Sequence, residues 1–197
     1  MDSKAEAAFK KFIASVHVLF ARESDPARRW EKVKPLLREL LADEGVRRAS
    51  QEWPHCSHTG QAENLLLYED PKFGFVINGL TKAPRERTQI HDHAHNWTLY
   101  GVLDGHETIE RYERVDDGSK SDRAEIRPVR KFTAGPGDVD LVFPGEIHAE
   151  ESGEERTVAI IIRAEKPGGF KQGRYDPATN RYWETPGPIQ IPYEKIE

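Results

Sequence analysis

The stretch Gln89-Ile90-His91-Asp92-His93-Ala94-His95-Asn96-Trp97-Thr98-Leu99-Tyr100-Gly101 decides how this chain is read, together with the later Pro144-Gly145-Glu146-Ile147-His148. Alternate residues of a strand point to the same face. His91, His93 and His95 are therefore expected along one face of a strand, unless a bulge intervenes. His148 lies in a strand segment punctuated by glycine and proline, placed to close on them from a neighbouring strand. Three neutral imidazoles with open positions beside them suit a catalytic divalent metal. The expected ligands are His91, His93 and His148.

Working outward, the residues on either side divide into two patterns. Ala5, Ala8, Phe9, Phe12, Ile13, Val16, Leu19 and Phe20 recur at helical spacing, which predicts a helix from residue 3 to about 21. Asp25-Pro26 reads as an N-cap followed by proline at the first helical position. The helix it starts carries Trp30, Val33, Leu36, Leu37, Leu40 and Leu41, with Pro35 expected to kink or split it. A short helix or loop follows to Pro54. From about Asn64 short apolar runs alternate with Gly, Pro, Asp and Asn. Strands are expected at 65–68, 73–81, 88–93, 98–103, 107–115, 124–132, 138–143 and 157–163. Short strands after a helical start predict a mainly β protein, a two-layered antiparallel jelly roll. The expected division is a helical segment, 1–60, packed on a barrel with a C-terminal extension, 61–197. The tail from Lys166 is rich in Gly and Pro, but its Tyr175, Tyr182, Trp183 and Tyr193 predict packing over the barrel.

Composition narrows the class. The chain has 197 residues, 37% of them hydrophobic and 32% charged, with a formal net charge of −5. That suits one soluble globular domain with a substantial core. No basic stripe points to nucleic acid. One cysteine, Cys56, excludes a disulfide within the chain. The trio His55, Cys56 and His58 lacks the spacing and second half of a zinc finger. With no apolar core of signal-peptide type and no bilayer-length apolar run, a cytoplasmic protein without membrane contact is expected.

The spacing of His91, His93, Gly105, Gly137-Asp138, Pro144 and His148 resembles the two motifs of the cupin superfamily. The likeness covers roughly residues 84 to 163. Within the superfamily it is most similar to the cysteine dioxygenase and 3-mercaptopropionate dioxygenase branch, which also carries His-Asp-His and helices before the barrel. The resemblance implies a cupin double-stranded β-helix, a three-histidine Fe(II) site, O₂ as co-substrate and a homodimer. Trp97 and Thr98 stand where ordinary cupins place a glutamate ligand, a loss shared with the thiol dioxygenases. Thr98 also replaces the cysteine that cross-links to tyrosine in animal-type enzymes. The Ser-x-His-x-Tyr triad of thiol dioxygenases is replaced by Ala159, Ile161 and Arg163.

A divalent ion on three neutral histidines keeps its +2 charge and favours an anionic ligand such as a thiolate, enolate or carboxylate. The reading is a non-haem Fe(II) dioxygenase of a small polar or anionic substrate. The same donors suit Zn, Ni, Mn or Cu. A non-catalytic binding cupin and an O₂-independent metal-dependent isomerase or hydrolase are the competing readings. Three further residues are expected to act in the cavity: His95 as acid, base or substrate contact, Tyr100 as a hydrogen-bond donor, and Arg163 as an anchor for substrate anion. Arg85 and Arg87, which share the ligand face if the strand extends that far, are expected to grip a carboxylate. Tyr112 is expected to contact substrate as a hydrogen-bond donor inside the cavity. Asp92 alternates away from the ligands and is expected to orient nearby backbone.

Overall fold

A computed structural model describes residues 3–56, 63–193 and 196. His58 and the 60/61 division expected from the sequence lie outside them.

Three helices come first: α1 (Ser3–Arg22), α2 (Pro26–Leu41) and α3 (Glu44–Ser50). Asp25 caps α2, its carboxylate accepting from the Arg28 amide at 2.8 Å. Pro35 does not divide α2. It lies on the exposed face, where the carbonyl it leaves unpaired can turn to water.

Twelve strands follow: β1 (Glu63–Glu69), β2 (Val76–Lys82), β3 (Ile90–His91), β4 (Thr98–Asp104), β5 (Glu107–Arg114), β6 (Ile126–Ala134), β7 (Val139–Val142), β8 (Ile147–Ser152), β9 (Thr157–Arg163), β10 (Gln172–Asp176), β11 (Arg181–Thr185) and β12 (Ile189–Pro192). They form two six-stranded sheets, ordered β12-β1-β2-β9-β4-β7 and β11-β10-β3-β8-β5-β6. The eight strands β2 to β9 contribute β2-β9-β4-β7 to one sheet and β3-β8-β5-β6 to the other. All their pairings are antiparallel. This is a jelly roll, or double-stranded β-helix.

The central strands of the first sheet are buried on both faces. On β9, Val158, Ile160 and Ile162 join the core shared with the helices, while Ala159 and Ile161 face the barrel interior. Leu99 and Leu103 of β4 likewise meet the helices, and Tyr100 and Val102 face inward. Gly101 lets α2 approach: a Cβ there would lie 2.8 Å from Leu41 Cδ1 and 3.1 Å from Leu37 Cδ2. Phe9, Val16, Trp30, Val33 and Leu37 complete this layer. The helices thus form one thick apolar wall with the first sheet, and the barrel interior holds a smaller apolar cluster beside its polar groups.

Two expectations are corrected here. The strand ranges expected from the sequence omit β8, although His148 is read there as lying in a strand segment, and they count β1 among the barrel strands. The C-terminal tail also does more than pack over the barrel. Its β10 pairs with β3, and its β12 runs parallel to β1.

Candidate metal centre

Three strands bring the site together. His91 of β3 stands directly opposite His148 of β8 and, on its other side, opposite Arg174 of β10. His93 follows β3 on the same side. Imidazole centroids are 4.3 Å apart for His91 and His148, 4.7 Å for His93 and His148, and 5.0 Å for His91 and His93. One ring nitrogen from each lies within 4.8 Å of the others.

The hydrogen bonds fix which nitrogens face the centre. His91 Nδ1 donates to the Gln89 carbonyl at 2.8 Å, and His148 Nδ1 donates to the Glu146 carbonyl at 3.0 Å. With the proton on Nδ1, each Nε2 carries a lone pair. His91 Nε2 faces His93 Nε2 at 3.2 Å. His148 Nε2 is buried and, among the described residues, has no hydrogen-bond partner. Burial, reinforced by His148, pushes His91 down to about 3 and His93 well below its ordinary value. Neutral, converging lone pairs around a buried orphan nitrogen fit a divalent cation.

Asp92 holds this geometry from behind. Its Oδ1 accepts from the Ala94 and Gly173 amides at 2.8 and 3.0 Å, and its Oδ2 accepts from the Tyr175 hydroxyl at 2.6 Å. The expectation that Asp92 orients backbone agrees with these bonds.

His91 and His93 open into a cavity of about 660 Å³, with His148 buried behind them. Tyr100 and Arg163 line it, as expected. Arg163 is 5% exposed, donates to Asn78 Oδ1 at 2.6 Å, and leaves Nε without a partner among the described residues. Burial pulls it down to about 10, so it stays cationic at neutral pH. The Tyr100 hydroxyl donates to Glu107 Oε1 at 2.7 Å, and Glu107 pairs with Lys82 at 3.1 Å. Burial pushes that hydroxyl well above its ordinary range, leaving it a neutral donor committed to Glu107.

Three predicted site residues, His95, Arg85 and Tyr112, lie elsewhere, and a fourth, Arg87, reaches the cavity with its guanidinium already paired. Ala94 has φ 52°, which ends the strand alternation, so His95 turns outward. Its side chain is 62% exposed and paired with Glu165 at 3.0 Å. Arg85 also has a positive φ, 57°, and its 71% exposed side chain meets Glu154. Arg87 reaches the cavity rim, but its guanidinium is held by Glu110 at 2.5 Å and Glu151 at 3.1 Å. Tyr112 donates to the same Glu110 at 2.6 Å. Glu110, Tyr112 and Glu151 alternate with the inward-facing Arg111, His148 and Glu150, which places this cluster on the outer face of the second sheet. Glu146 is occupied too, paired with Arg111 at 2.8 Å.

The sequence reading missed Arg174 and Glu150, both lining the cavity. Arg174 is buried and hydrogen-bonds only weakly, to the Gly173 carbonyl at 3.3 Å and Gln172 Oε1 at 3.4 Å. Glu150 could have been found by counting two residues on from His148.

No family model and no curated protein matches the chain. Among solved structures, oxalate oxidase in complex with the substrate analogue glycolate is 15% identical, over 46% of this chain and 42% of that one, with a TM-score of 0.37. The chain thus spans less than half the length of that relative. A cupin superfamily protein from Desulfitobacterium hafniense is 21% identical, over 52% and 76%, with a TM-score of 0.37. A double-stranded β-helix protein from Klebsiella pneumoniae is 16% identical, over 58% and 80%, with a TM-score of 0.40. The jelly-roll assignment rests on this chain's own strand order. Fold and cluster together define a jelly-roll protein with a three-histidine candidate metal centre. Among the described residues no helix is long and apolar enough to cross a membrane.

Proposed function

We propose that the protein is a metal-dependent jelly-roll enzyme of cupin type, a non-haem Fe(II) dioxygenase acting on a small anionic substrate. The observation that carries this reading is the convergence of three histidine ring nitrogens beside a cavity that also holds two arginines without carboxylate partners among the described residues. Ferrous iron on His91, His93 and His148 would supply open coordination positions and the redox chemistry needed to join O₂ to a substrate. Arg163 and Arg174 neutralise and orient the substrate's anionic group, since a buried guanidinium without a counter-ion favours a ligand that brings one. Asn78 holds Arg163 in place. Leu80 and Ile161 add apolar surface to the cavity wall. Tyr100 keeps its proton on Oη, directed at Glu107. Thiols bearing a carboxylate fall within this substrate class, as do other small carboxylates.

The test is oxygen uptake by protein reconstituted anaerobically with Fe(II). Cysteine, 3-mercaptopropionate, cysteamine and several non-thiol carboxylates are offered, with His93→Ala as the control. Uptake that requires both a substrate and His93 supports the proposal. No uptake, in protein that holds one iron per chain, overturns the dioxygenase reading. Product formed without O₂ would instead favour Lewis-acid chemistry at the same residues.

A further inference from the structure

We propose that Glu150 is a fourth protein donor of this metal centre, so that β8 supplies both a histidine and a carboxylate as His148-Ala149-Glu150. The inference rests on the metal-centre reading above and goes beyond the three histidines.

Strand geometry places the two side chains together. Residues two apart share a face, and Glu150 stands opposite Ile109, which packs in the barrel interior. Glu150 is buried, and its Oε1 lies 3.3 Å from His148 Nε2. That nitrogen carries no proton in the tautomer set by the Glu146 carbonyl. In that neutral form the contact sets two acceptors side by side, out of water, and neither satisfies the other. A cation shared by Nε2 and Oε1 turns the mismatch into coordination.

The rest of the carboxylate is already arranged for that task. Oε2 accepts from Thr88 Oγ1 at 2.8 Å. Thr88 is fixed in turn, with Oγ1 accepting from the Glu150 amide at 3.0 Å and its own amide donating to the Glu150 carbonyl at 2.9 Å. One oxygen is thus anchored and the other aimed at the histidines, the usual arrangement of a ligating carboxylate with its supporting hydrogen bond. Among the described residues no lysine or arginine lies within ion-pair distance of Glu150. A buried carboxylate without such a partner is costly unless a metal takes the place.

This position also accounts for Trp97 and Thr98. The strand bearing His91 and His93 leads into no carboxylate, because the acid is supplied from across the sheet. The consequence is electrostatic. One carboxylate lowers the net charge of a divalent centre to +1, leaving Arg163 and Arg174 as the main attraction for a substrate's remote anionic group.

Co²⁺ titration of the full chain tests the inference, with absorption in the visible d–d region as the readout. The expected result is that Glu150→Gln, which preserves shape and can still meet Thr88, weakens Co²⁺ binding at least tenfold and changes the spectrum. Thr88→Val, which removes only the support, should weaken binding less and keep the wild-type band shape. Unchanged affinity and spectrum in Glu150→Gln overturn the proposal. If wild type binds no Co²⁺, or His93→Ala binds it equally well, the three-histidine reading itself fails and this one falls with it. A crystal structure of Co²⁺-loaded wild type removes any dependence on how the variants fold. Glu150 Oε1 at about 2.1 Å from the ion is expected, and a separation beyond about 3 Å overturns the inference.

Discussion

At the scale of single residues, chemistry and spacing decide the histidines. His91, His93 and His148 offer one lone pair each to a common point, so each alanine variant removes a donor that no neighbouring histidine can replace. His95 is turned outward, and His17, His55 and His106 belong to other regions of the fold. Metal content after reconstitution should fall from about one ion per chain to below a tenth in each variant, whereas His95→Ala should load as wild type does. Retained metal in all three ligand variants would refute the site. Arg163 makes a different prediction. Arg163→Gln removes charge while leaving a polar side chain beside Asn78, so an anionic substrate should bind about tenfold or more weakly. The loss should appear mainly in KM, and an unchanged KM would remove Arg163 from substrate recognition. A third residue reports on the outer cluster. Hydrogen bonds from Tyr112, Arg87 and Lys131 pull Glu110 from 4.5 down to about 2. A carboxylate with a lowered pKa contributes stability that is full above its unfolded value and is lost as pH falls through the folded one. Glu110→Gln should therefore cost about 1 kcal/mol at neutral pH, with the gap to wild type narrowing below pH 4.5 and closing near pH 2. Urea unfolding at several pH values measures it. A gap that stays constant with pH would mean the cluster stabilises through packing alone. The histidines were legible because three rare side chains fell at meaningful spacing. Glu150 was not, because glutamate is common and usually solvated, and only strand parity with His148 singles it out.

At the scale of elements, legibility tracked which way each face points. The helices declare themselves because one face of each is apolar against the first sheet. Strands β4 and β9 do too, being apolar on both faces. β8 does not, since its inward residues are His148 and Glu150 and its pattern runs against a polar-out alternation. β3 shrinks to Ile90–His91 because the chain turns at Ala94, yet Thr88 and Arg87 still bond to β8 and keep the approach extended. The turn joining β4 and β5 is more demanding. Gly105 has φ +74°, and a Cβ there would lie 2.5 Å from the Arg156 carbonyl oxygen, on the backbone leading into β9. That oxygen belongs to the backbone, as does the Thr157 Cα 3.0 Å from the same point. Gly105→Ala should destabilise by about 3 kcal/mol, lowering Tm by about 6–12 °C. Calorimetry showing less than about a third of that drop would mean the turn yields more readily than its contacts imply.

At the scale of the whole molecule, rigidity and chemistry are divided between the sheets, and the C-terminal strands join the two. The helices and first sheet form an apolar scaffold that carries Arg163 and Tyr100 on its inner face. The second sheet carries the histidines, but β3 is too short to hold its own register. It lies between β8 and β10, and the bond from β10 is what sequence patterning could not foresee, because the Gly/Pro-rich tail shows little apolar alternation. The contact is tight. A Cβ on Gly173 would fall 2.3 Å from Asp92 Oδ2 and 2.9 Å from Tyr182 Cε2. Asp92 would have to leave its place, releasing the Ala94 amide and the Tyr175 hydroxyl and freeing the segment that bears His93. Gly173→Ala should therefore weaken metal binding about 10–100-fold although it alters no ligand. Tyr175→Phe, which removes one bond to Asp92 without adding bulk, should act in the same direction and less strongly. Metal titration alongside thermal unfolding separates the outcomes. Weaker binding in both variants means that the C-terminal strands set the geometry of the centre. A lower Tm with unchanged metal affinity would mean that they only close the sheet, and that His91 and His93 are positioned by β8 alone.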